Sequence, residues 1–169
     1  MLVTPQPGPP VTPGPHLEIR FKRGRDGPDS LTMVRPNGSH TRQHDRTQGF
    51  FGPHDLTHFA VETTLGFRRG FYGVVAGGWD LADFGHPWPK GPMPPETVIP
   101  EAIVGLFDQE SATGRRWTAE ECNISLADYL GRVGIEAPSL SELQLGEIRR
   151  KKSALVGQWQ SLAPGETMV

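Results

Sequence analysis

At 169 residues and a formal net charge of −2, the chain suits one domain and lacks the strong positive charge of a general phosphate-backbone binder. Its single cysteine, Cys122, excludes an internal disulfide and any multi-cysteine zinc site, leaving the residue as a small hydrophobe. No apolar run approaches the ~18 residues of a membrane span, and the start MLVTPQPGPP has neither a basic nor an apolar leader segment, so a cytoplasmic, membrane-free protein is expected.

Prolines cluster. Residues 1–15, MLVTPQPGPPVTPGP, hold no periodic apolar face and read as a disordered Pro-rich tail ahead of a single α+β domain, 16–169. In HLEIRFKRG, 16–24, Leu17, Ile19 and Phe21 alternate with Glu18, Arg20 and Lys22, the period of a half-buried strand. RDGPD, 25–29, is a turn, and 30–36 a second strand. Asn37-Gly38 suits a two-residue type I′ hairpin, which needs positive φ at both positions. Residues 39–44 then return as a third strand, giving a three-stranded antiparallel sheet.

A helix is expected over 53–65, with Gly52 as N-cap, Pro53 at the first helical position and Asp55 in the first turn. Residues 67–85 read as a loose helix and 86–100 as a Pro-rich loop, with Trp79 and Trp88 bracketing it as candidate cleft residues. The C-terminal third is helical: a short helix over 100–111, then Thr118-x-x-Glu121 and Ser139-x-x-Glu142 as capping boxes, the second opening the longest helix, to about 162. On that last helix Ile148, Leu155, Trp159 and Leu162 form an apolar stripe, while Arg149, Arg150, Lys151 and Lys152 spread over what reads as a solvated surface.

Chemistry concentrates in GFFGPHDLTHFAVETTLGF, 49–67. His54, His58 and Glu62 recur at every fourth residue, which places them on one stripe of a helix. Two histidines at i and i+4 can close on a single ion. At about 1.5 Å of rise per residue, Glu62 stands roughly 12 Å from His54 along the axis, so it serves as a third ligand, as the group that orients His58, or as the holder of a second ion beside the first. Asp80, Asp83 and His86 are alternative third ligands. His40 and His44 also lie four apart, but on a strand that separates them by about 13 Å, too far for one ion.

His54-Asp55-Leu56-Thr57-His58 resembles the H-E-x-x-H motif of zincin metallopeptidases, in the H-E-L-T-H form of the thermolysin-like branch, with Asp55 in place of glutamate. The resemblance implies a small antiparallel sheet, then the active-site helix, then a helical part. It also implies His54 and His58 as ligands of zinc or another divalent transition metal, and Asp55 as the general base. The expected function is metal-dependent hydrolysis of a small-molecule or peptide substrate, of the peptidase or amidase kind. The alternative is a non-catalytic adaptor in which the same stripe is structural and the last helix binds a partner.

Overall fold

The computed structural model describes residues 16–45, 51–85 and 90–169. The proposed tail, His86 and Trp88 lie outside these. Over the described residues the architecture is α+β: an antiparallel sheet with five α-helices. Strands β1 (Glu18–Lys22), β2 (Ser30–Val34) and β3 (His40–His44) form the expected meander. A fourth strand, β4 (Thr167–Met168), pairs antiparallel with β1, so the order is β3-β2-β1-β4 rather than three-stranded. Two residues carry no readable alternation; β4 is fixed by the pairing of Met168 with Phe21, which puts both side chains into the core.

The β2–β3 hairpin is one residue longer than a type I′ turn. Arg35 N–H donates to Ser39 O at 2.8 Å and Gly38 N–H to Arg35 O at 2.9 Å, so Pro36, Asn37 and Gly38 form the loop. Gly38 takes the left-handed conformation, φ 83°, and the Asn37 side chain accepts from Ser39 N–H at 3.0 Å.

Helix α1 runs Phe51–Leu65, starting two residues earlier than expected, which moves Asp55 out of the first turn and into the interior. Within 67–85 there is one short helix, α2 (Phe71–Ala76), and a 3₁₀ turn, Leu81–Phe84, instead of a loose continuous helix. The Pro-rich loop ends sooner than its composition suggests. Helix α3 is Pro95–Thr113, because proline at the first turn gives up a donor that would be unpaired there anyway, and the helix continues through buried Pro100. Helix α4 (Ala119–Arg132) opens on the expected Thr118–Glu121 capping box. Helix α5 (Glu142–Ser161) opens on Ser141 and Gln144, not on Ser139 and Glu142. Upstream, the Asn123 side chain bonds both the N–H and the C=O of Leu140 and holds that stretch off the helix.

Helix α1 is the centre of the molecule. Leu56 packs with Phe21, Leu31, Met33, Tyr72, Leu81 and Trp159 beneath the sheet. Ala60 and Val61 pack into a second cluster made by α3, α4 and α5. Gly52 lets α5 come close to α1: a Cβ there would run into the Trp159 indole. The basic run on α5 is largely engaged. Arg149 grips Glu110 through Nε at 3.0 Å and also donates to the Trp117 carbonyl at 2.6 Å. Lys152 donates to the Phe107 carbonyl at 3.0 Å and to Ser111 at 2.7 Å, while Lys151 reaches Thr63 at 3.0 Å. These cations tie helices together rather than forming an open basic face.

Candidate metal centre

Packing on two sides of α1 buries several of its polar residues. Asp55, His58 and Glu62 are 6, 3 and 4% exposed, and each must be satisfied or kept uncharged. Helix α3 supplies the partners. His54 Nδ1 donates to Asp108 at 2.9 Å, and His58 Nε2 donates to Glu101 at 2.9 Å. Residue 54 faces 108 and residue 58 faces 101, so the two helices run antiparallel along the site.

His58 is bonded at both nitrogens, with Nδ1 meeting Glu62 at 3.3 Å. Burial works against a charge on this ring, but the hydrogen bonds to Glu101 and Glu62 outweigh it and raise its pKa to about 9. The bond to His58 in turn holds the Glu101 carboxyl below the ordinary carboxylate range, against its partial burial.

Glu62 turns toward α2. Its carboxylate accepts from Phe71 N–H at 2.9 Å and Tyr72 N–H at 3.2 Å, the first donors of that helix, and from His58. Gly70 makes room: an added Cβ would sit 2.5 Å from the Glu62 carboxyl carbon. Gly70→Ala should therefore push Glu62 off the start of α2 and cost about 1–3 kcal/mol, the penalty for buried polar groups left unpaired, read as a lowered melting temperature. An unchanged melting curve would mean that the carboxylate is not held there.

Asp55 faces the other way. It lines a small cavity between the sheet and α1 with Asp29, Asp45, Leu31 and Trp159. Among the described residues no hydrogen-bond donor meets its carboxylate. Burial raises its pKa to about 7, against the opposing pull of His54 and His58 and with the help of Glu101 and Asp45. The neighbouring Tyr72 hydroxyl donates to the Asp55 backbone carbonyl at 2.6 Å and fixes α2 on α1.

One set of donors converges. His54, His58 and Glu101 each offer a ligand atom, all within 4.8 Å of one another, a group that could hold a metal ion. The structure thus brings the two predicted histidines together and completes them with Glu101. Glu62 lies behind His58, and Asp55 stands outside the group. Asp80 pairs with Arg35 at 2.8 Å, and Asp83 with Lys90 at 2.9 Å and the Asp80 N–H at 2.7 Å, so both are committed elsewhere. Glu101 and Asp108 were missed by sequence reasoning, yet a signal existed. They are seven residues apart on a helical segment, hence about two turns apart on one face. Among the described residues no helix is long and apolar enough to cross a membrane. Set against protein-family models, curated proteins and solved structures, the chain matches none.

Proposed function

We propose that the chain binds one divalent transition metal, zinc by donor preference, through His54, His58 and Glu101, and uses it to hydrolyse an amide or ester of a small-molecule or peptide substrate. The observation that carries this reading is the double carboxylate support of the histidines. Asp108 and Glu62 each take the Nδ1 hydrogen of one ring, which fixes tautomer and orientation and leaves Nε2 as the ligating nitrogen. Two imidazoles and one carboxylate are the donor set of an open catalytic site rather than a closed structural one. When bound, the ion would polarise the substrate carbonyl and lower the pKa of its water toward ~7.

The chain's own groups divide the remaining work. Glu101 is 60% exposed, so its carboxylate can turn from His58 to an ion, and it sits on the solvent side of the site. Asp55 is assigned the base role by the motif alone in this reading: its carboxylate lines the sheet-side cavity, outside the three donors, and its link to them is electrostatic.

A second reading rests on the two carboxylates that flank His58. A protonated His58 between Glu62 and Glu101 is a satisfied ionic bridge without any ion, as a non-catalytic adaptor would need. Zinc titration of protein purified without an affinity tag separates the two. Wild type should bind about one equivalent, and His54→Ala and His58→Ala should lose it. Asp108→Asn and Glu62→Gln should bind ~10–100-fold more weakly although neither side chain would touch the ion. Wild-type protein that takes up no zinc would overturn the metal reading and leave the ionic bridge as the cluster's role.

A further inference from the structure

From Gly70 to Gly85 the chain carries a row of aromatic rings that starts at a metal ligand. The Phe71 ring centroid is 5.4 Å from that of His58 and 4.9 Å from that of Phe84, and Phe84 is 5.5 Å from Trp79. Tyr72, beneath the row, is buried, whereas Phe71, Phe84 and Trp79 are only half-buried. The backbone under them is tied down along its length. Glu62 holds Phe71 and Tyr72, Arg35 donates to the Val75 carbonyl at 2.7 Å and the Trp79 carbonyl at 2.5 Å, and Thr41 accepts from Leu81 N–H at 2.9 Å. The rings are thus part-exposed on a fixed support, so a ligand laid on them need not pay to order a loop.

Three of the cations around the row are paired. Arg35 is spent on Asp80, Lys90 on Asp83, and Arg69 on Glu96. What the row offers is apolar and aromatic, its rings tilted 43–53° to one another so that each presents part of a face or an edge, with none of these three cations free to hold an anionic tail. Such a surface prefers another ring, stacked offset or edge-on.

We infer that Phe71, Phe84 and Trp79 form the substrate shelf of the metal site, and that the substrate carries a flat apolar group, aromatic by preference, next to the carbonyl that meets the ion. This rests on the metal-dependent reading above. It adds the class of substrate: acylated or amidated aromatic compounds, including peptides with an aromatic side chain beside the bond cleaved.

Two hydroxamates test it, because both chelate zinc and only one carries a ring. On zinc-loaded wild-type protein, benzohydroxamate should bind ~10-fold or more tighter than acetohydroxamate, the gain expected for burying a phenyl group. Phe84→Ala should bring the ratio close to one while leaving acetohydroxamate affinity unchanged. Phe84→Leu, which keeps volume and safeguards folding, should lower the ratio in the same direction. Equal binding of the two probes to wild type, or a ratio that both variants leave intact, overturns the shelf while the metal site stands. If zinc is not taken up and neither probe binds, the shelf falls together with the site.

Discussion

Asp55→Asn should make the protein more stable at pH 8, by up to about 4 kcal/mol, while reducing hydrolytic turnover ~10²–10⁴-fold. The stability half follows from burial. The Asp55 carboxyl has its pKa raised from 3.8 to about 7 because the folded chain strips its water and returns no hydrogen bond from the described residues. A raised acid favours its protonated form, so its contribution to stability is complete below about pH 4 and is lost as pH climbs to 7. Above that, the fold carries the full cost of a buried charge. Asparagine removes the charge and nearly keeps the shape. The gain should therefore be large at pH 8 and close to nothing at pH 4, measured by chemical denaturation of metal-free protein at both. A gain independent of pH would mean that the carboxylate is not held charged in the interior. The activity half is a separate measurement on zinc-loaded protein, since a residue retained at such a cost to folding is a candidate for chemistry. Full turnover in Asp55→Asn at wild-type metal content would remove Asp55 from the mechanism and leave its burial unexplained.

The contrast between Glu62 and Asp55 shows where sequence reasoning reaches and where it stops. The i, i+4 stripe of His54, His58 and Glu62 is a matter of helix geometry, and so is visible in the letters. The meander of β1, β2 and β3 is visible for the same reason, through period two in 16–24 and the Asn37-Gly38 turn. Which side of α1 would be covered was not visible. Packing on two sides of α1 leaves no single apolar face to read, and Asp55 lies on the sheet side because the sheet packs over that part of the helix. The third donor was hidden for another reason. The Pro-rich run 86–100 looks like a loop, but Pro95 opens α3, and that helix brings Glu101 and Asp108 against α1 from more than forty residues away. Long-range pairing of this kind leaves only weak local marks, here a seven-residue spacing of two acids. The fourth strand left none.

In metal-free protein, stability should fall by on the order of 3 kcal/mol between pH 6.5 and pH 9, and His58→Gln should flatten that limb. His58 is the cause. Burial alone would lower its pKa, yet the carboxylates of Glu101 and Glu62 at its two nitrogens raise it from 6.5 to about 9. A base with a raised pKa binds its proton more tightly when folded, so the stabilisation is fully present below pH 6.5 and is gone once pH passes 9. Asp55 titrates lower, around 7, and His58→Gln leaves that part of the curve in place, which is how the two are told apart. Zinc should oppose the alkaline loss. An ion can replace the proton between His58 and Glu101, so its binding strengthens as the proton leaves, adding stability by mass action at the pH where the ionic bridge fails. The measurement is a pair of urea titrations at pH 6.5 and 9, with chelator and with excess zinc. A fall with chelator that zinc reverses at pH 9 is the expected outcome. A fall of equal size in the presence of zinc would show that the ion does not take the proton's place, and that the bridge between His58, Glu62 and Glu101 is all this cluster provides.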